Sequence, residues 1–168
     1  MELINLNNVM ETLEQYAQEV RNKYQDNLIQ DDKMASGQLL NSVEYQVVQN
    51  GMVYEVQLRL QDYWKYVEYG TKPHLPPVSK ILEWVRVKPV IPRPNDNGKL
   101  PTPIQLAWAI AKGIEKHGTT GTESLEEALL DINYKYREKL VIALHQDMET
   151  IMKVIVGDFQ GHVPGGLY

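Results

Sequence analysis

The residues able to do chemistry are few and scattered. Asp31 and Asp32 are adjacent carboxylates, the residue type of metal sites and acid–base pairs. Adjacent side chains seldom converge on one atom, however, and no histidine lies near them in the sequence, so the pair reads as a solvated turn. His145 and Glu149 lie one helical turn apart, a spacing that can open a metal site. No third ligand accompanies them, and an exposed side-chain pair is the better reading. Glu68 stands among aromatic residues without a companion acid, which points to a partner for a backbone amide or a base at a turn rather than to catalysis. The histidines (His74, His117, His145 and His162) are dispersed, cysteine is absent, and no serine sits in a nucleophile-elbow sequence. The Gly118–Gly121 segment, GTTG, lacks the lysine-plus-hydroxyl ending of a phosphate loop. No catalytic, cofactor or metal constellation emerges, and the chain reads as a non-enzyme.

Composition narrows the class further. A chain of 168 residues suits one domain with a sizeable core. No apolar run approaches the ~18 residues that span a bilayer, and no signal-peptide pattern opens the chain, so a cytoplasmic, membrane-free protein is expected. The net charge of −5 is unevenly spread: residues 73–118 hold 7 bases and 3 acids, while both flanks are acidic. An acidic total disfavours a dedicated DNA binder. The basic middle is either a solvated surface or a face for an acidic neighbour, and the first is preferred.

The elements that must carry these residues follow from periodicity. Leu3, Leu6, Met10, Leu13, Ala17, Val20 and Tyr24 alternate at three-four spacing, predicting a helix over about 3–28 that covers a sheet. From Ser42 to Leu60 the period drops to two around Asn50-Gly51, which predicts a β-hairpin with that pair as its turn. Pro77 is placed to begin a short helix through Val87, with Ile81, Leu82, Trp84 and Val85 inward. Residues 89–103 hold five prolines and form a loop, either mobile in solvent or reaching to a neighbouring subunit or to DNA. Thr102-Pro103 caps a helix to about His117, with Ile104, Trp108, Ala111 and Ala107 on its inner face. Ser124-x-x-Glu127 reads as a capping box opening a last helix to Gly157. Its expected apolar face is Leu125, Leu129, Ile132, Tyr136, Leu140, Leu144, Met148, Ile151 and Ile155. The expectation is one α+β domain over 1–157, a small antiparallel sheet packed by long first and last helices with shorter ones between, and a flexible tail over 158–168.

The densest aromatic stretch is Tyr63–Pro77, YWKYVEYGTKPHLPP. Such density forms a core or an interface. Within it, Tyr66-Val67-Glu68-Tyr69-Gly70-Thr71 resembles the "Y-x-E-(F/Y)-G-T" signature of the head–tail joining, or tail-completion, proteins of tailed bacteriophages. Ser36-Gly37-x-Leu39-x-x-Ser42-Val43 is similar to that family's lead into its first strand. Pro76-Pro77 with Ile81-Leu82-x-Trp84-Val85 resembles its "P-P-x-x-x-I-x-x-W" helix. Leu106–Ala111 with Gly118 and Gly121 resembles its "L-A-x-x-I-A…G…G" segment. Together these span Ser36 to Gly121, about half the chain.

The resemblance implies a virion structural protein of the phage neck or tail top, assembled in the host cytoplasm as a ring of roughly six or twelve copies. Its partners would be other copies, neighbouring neck, connector and tail-tube proteins, and DNA in a central channel. No cofactor is expected. The interface candidates are Trp64, Tyr66, Tyr69, Gly70 and Thr71, with Arg93 and Lys99 on the proline loop and Leu167 and Tyr168 at the tail tip. The proline loop and last helix are longer than in compact members of that family. Two rival readings are a nucleic-acid-binding or other assembly module using the basic middle with Trp84, Trp108 and Arg93, and an enzyme whose site converges only in three dimensions.

Overall fold

The three-four apolar spacing of the opening segment folds as helix α1, Asn7–Gln30, in a computed structural model that describes residues 5–31, 37–88, 90–94 and 97–161, with side chains as far as Val156. The expected start at Leu3 lies outside the described residues, as do Asp32, Ser36, Pro89 and residues 162–168. A short helix α2 (Gln38–Asn41) leads into β1 (Glu44–Asn50) and β2 (Val53–Arg59), the expected antiparallel hairpin. Tyr45, Val47, Tyr54, Val56 and Leu58 are half-buried, while Glu44, Gln46, Glu55, Gln57 and Arg59 are exposed, the period of a one-sided sheet. The turn itself differs from expectation. Because β1 includes Asn50, the chain reverses at Gly51-Met52, with positive φ at Gly51 and not at Met52. That is the pattern of a type II′ turn, which needs glycine only at its first central position.

The later elements are α3 (Trp64–Tyr69), β3 (Gly70–Thr71), α4 (Val78–Val87), α5 (Pro103–His117), β4 (Thr119–Thr120) and α6 (Ser124–Gly161). The fold is α+β, as expected, with α1 packed on α6. Contacts divide it into two compact units. The first takes the described residues up to Arg21, then Tyr45–Leu58, then those from Leu129 onward. The second takes Asn22–Glu44 and Arg59–Ala128.

In the first unit, α1 and α6 run antiparallel, registered by polar side chains. Tyr16 donates to Asn133 at 2.7 Å, Tyr136 donates to Glu19 at 2.8 Å, and Lys135 pairs with the same Glu19. Burial and the negative Glu19 push the Tyr136 hydroxyl up to about 12. The hairpin joins through the Tyr54 hydroxyl, which accepts from the Leu6 amide, and through Arg21, stacked over the Tyr45 ring. The inward face of α6 follows its large apolar residues only in part. Leu125, Ile132 and Tyr136 are buried and Leu129, Leu140 and Ile151 half-buried, but the stripe is completed by Ala143 and Asp147, while Leu144, Met148 and Ile155 lie about half exposed. Nor does the helix stop at Gly157; it continues to Gly161, since a helical glycine costs only about 1 kcal/mol.

Asp147 explains why a charged residue sits inward. It accepts from the amides of Asn8 (3.0 Å) and Val9 (2.9 Å) and from the Asn8 side chain (2.6 Å), capping the start of α1. Burial favours its neutral form, but these bonds outweigh burial and hold the carboxyl below the usual range. A depressed folded pKa gives stability that is full above the ordinary aspartate value, about 4, and is lost as pH falls through the folded value. Asp147→Asn should therefore cost about 1–2 kcal/mol at pH 7 and much less at pH 3. Urea unfolding at the two pH values checks this; an equal loss at both would contradict the cap.

In the second unit, α4 packs on α5. Thr102 and Gln105 form a reciprocal capping box, with Pro103 at the first helical position, as its lack of an N–H allows. The buried residues of α5 are Ala107 and Ala111; Ile104 and Trp108, expected inward, are about half exposed. Small residues there admit the close approach of a neighbouring backbone. Ile81, Leu82 and Val85 of α4 are half-buried and Trp84 more exposed. Pro77 is the residue before α4, its N-cap, rather than its first helical residue. Between α4 and α5, the described residues of the proline segment form neither helix nor strand, as their prolines require.

Candidate functional site

The aromatic stretch folds as the six-residue α3 followed by β3. Tyr66 and Tyr69 are 64% and 67% exposed, whereas Glu68 between them is 1% exposed. Trp64 is half-buried and tilts against the Tyr69 ring at 6.1 Å. One turn of helix forces the choice, because residues 66 and 69 share a face that 68 does not. The carboxylate is inward because α6 begins there. Leu125 N–H donates to both its oxygens at 3.0 Å, and Glu126 N–H donates to Oε1 at 2.9 Å. A buried anion on the first free amides of a helix is satisfied by hydrogen bonds and by the helix dipole together. The expectation of a backbone-amide partner for Glu68 is met.

The expected capping box at Ser124 does not form. Ser124 is the first helical residue, its hydroxyl donates to Asp31 at 2.7 Å, and the Glu127 amide donates to the Glu123 carbonyl. Thus Glu68 does for α6 what Asp147 does for α1. The Glu68 carbonyl also accepts from Thr122 and Glu123, and Glu123 is held at φ 55°. Beside this hub lies the Tyr24 hydroxyl, buried without a hydrogen-bond partner among the described residues. Burial first, then the charges of Glu68 and Tyr63, raises its pKa.

The GTTG segment forms β4, which pairs antiparallel with β3, Gly70 opposite Thr120 and Thr71 opposite Thr119. The Thr71 and Thr119 hydroxyls meet at 3.0 Å. A Cβ on Gly70 would overlap the Thr119 carbonyl, one on Gly118 the Thr71 carbonyl, and one on Gly121 the Glu68 carbonyl. These close approaches permit a miniature sheet that the sequence did not announce. Strands of two residues carry no period to read.

Next to this sheet runs an open groove of about 670 Å³, whose walls include Tyr66, Thr71, Lys72, His74, Ile81 and Ile114. The His74 amide donates to the Ile114 carbonyl at 3.4 Å and its Nδ1 lies 2.8 Å from the Lys72 carbonyl, fixing the loop that forms one wall. Among the described residues its lining is largely apolar and holds no carboxylate, so its chemistry is that of packing with polar edges. Of the expected interface residues, Tyr66, Gly70 and Thr71 line it, and Trp64 and Tyr69 lie on the helix beside it. Arg93 and Lys99 are exposed on the proline segment and do not line it. Leu167 and Tyr168 lie outside the described residues. His74, Ile81 and Ile114 escaped sequence reasoning as groove residues; the paired prolines before α4 were their only signal.

Elsewhere, His145 and Glu149 form an exposed side-chain pair at 3.3 Å, as expected from their spacing. Among the described residues no three metal-ligating side chains gather, and no helix is long and apolar enough to cross a membrane. Against known protein families, curated proteins and solved structures, the chain finds no match.

Proposed function

We propose that the protein is a structural component of the neck or tail top of a tailed phage, assembling as a ring that joins the head connector to the tail or completes the tail. The observation that supports this reading best is the outward placement of Tyr66 and Tyr69 on a backbone made rigid from behind. Glu68 pins their helix to α6, and the glycine contacts lock the strand that follows. Rigid exposed aromatics beside an apolar groove are the composition of an interface centre. They sit within the very segment that resembles the head–tail joining signature. A head-to-tail contact, in which this surface takes a different face of the next copy, closes by rotation into a ring.

The rival readings receive less support. In the basic middle segment, Lys80 holds Glu83 at 3.0 Å and Lys112 holds Glu115 at 2.7 Å, so part of its charge is already answered. Among the described residues the groove offers Lys72 and His74 but no carboxylate to work with them. The test is native mass and electron microscopy of the purified protein, alone and with neck and tail components of a candidate phage. Rings are the expected product, and Tyr66→Ala with Tyr69→Ala should abolish them with the fold intact by circular dichroism. A monomer that joins no virion component, or salt-sensitive DNA binding without assembly, would overturn the proposal.

A further inference from the structure

Helix α6 carries a second apolar stripe that its own chain leaves open. Leu130, Tyr134, Val141, Leu144, Met148 and Ile155 are exposed and follow one another at steps built from four and three, with Arg137 and the half-buried Ile151 filling the two remaining places. At about 100° per residue this line lies roughly 140° around the helix from buried Ile132, Tyr136 and Ala143. Tyr134 is 88% exposed, and Leu130 and Val141 are each 65% exposed. Single exposed apolar residues are ordinary. A line held to a 3.5-residue repeat from Leu130 to Ile155, roughly 38 Å, is the pattern of a coiled-coil seam. Such a seam is short for an isolated coiled coil, but α6 is already folded on α1, so pairing need not also bear the cost of forming the helix.

We infer that α6 pairs with α6 of a second copy of this chain, antiparallel, about a two-fold axis midway between Val141 and Leu144. That register matches every place in the seam: Val141 meets Leu144, Arg137 meets Met148, Tyr134 meets Ile151, and Leu130 meets Ile155. The charges select it. Across the axis Glu138 faces His145, and Arg137 lies over Met148 within reach of Glu149. A parallel in-register pair would instead stack Arg137 on Arg137 inside the seam, which like charges disfavour. The surface also holds a hole of the right construction. A depression of about 700 Å³ is lined by Tyr134, Arg137, Glu138 and Val141, residues i, i+3, i+4 and i+7, with Lys135 and Ile142 along one side. Its centre lies opposite Met148 of the second copy, an unbranched knob able to fill an irregular hole.

A two-fold contact closes on itself and cannot build a ring alone, so this inference stands or falls separately from the neck reading. The absence of cysteine lets single cysteines report the contact cleanly. Leu130→Cys and Ile155→Cys proteins, mixed and oxidised, should give a covalent dimer that neither gives alone. Dimer from Leu130→Cys alone would mean parallel pairing, and no dimer in any combination would mean no seam; either result overturns the inference. Sedimentation equilibrium supplies the second measurement. Val141→Glu should weaken the wild-type dimer at least tenfold with an unchanged circular dichroism spectrum. A wild-type protein that stays monomeric in that experiment, or a Val141→Glu protein that dimerises equally well, also overturns it.

Discussion

Glu68→Ala is expected to destabilise the protein by about 3 kcal/mol, removing charge-assisted hydrogen bonds worth roughly 1.5–3 kcal/mol each and stranding the first amides of α6. For a chain of this length that is roughly a 6–12 °C fall in Tm. The size follows from burial. Leu125 N–H and Glu126 N–H point at a carboxylate that is almost wholly enclosed, so water cannot take over as it would at an exposed cap. Glu68→Gln keeps the shape and one acceptor oxygen and should lose only about 1 kcal/mol, the share owed to the charge at the helix end. The two variants separate a structural carboxylate from a catalytic one, because a catalytic role would leave stability nearly untouched. Denaturant unfolding of both variants decides it. Losses within ~0.5 kcal/mol of wild type for Glu68→Ala would remove the hub from the account.

How much of this was legible beforehand depended on the sequence distance over which each feature is decided. The hairpin faces and the boundaries of α5 are set by neighbours within four residues, and period two and Thr102-Pro103 expose them directly. Glu68 could be read as an amide partner, yet its amides lie 57 and 58 positions away, and nothing local names them. α6 misled for another reason. It bears two apolar stripes, one for α1 and one facing solvent, and a single list of its large residues merges them. The inward stripe is completed by Ala143 and Asp147, a small residue and an acid, which hydrophobicity alone assigns to the surface. Tyr66 and Tyr69, expected at a surface, do lie exposed, but that they face outward while Glu68 faces inward is set by the turn of α3, which aromatic density alone does not reveal.

Gly70→Ala is expected to be as damaging as the loss of Glu68, by a different route. Gly70 adopts φ 72°, ψ −167°, a region open almost only to glycine. Strain there costs on the order of 1–3 kcal/mol, before any contact is counted. The added methyl would then meet the Thr119 carbonyl and the Gly121 amide, both backbone groups that no rotamer change can move aside. Relief therefore requires β3 and β4 to part, which breaks the Gly70–Thr120 pairing and shifts the groove wall at Thr71. Gly118→Ala should behave alike, since Gly118 has φ 71°, ψ −159° and would press on the Thr71 carbonyl from the other strand. Because both changes open the same two-residue ladder, their effects should not add. The double variant should lose clearly less than the sum of the singles. Full additivity in thermal unfolding would show that the strands separate independently and that the miniature sheet does not hold the tyrosine surface in place.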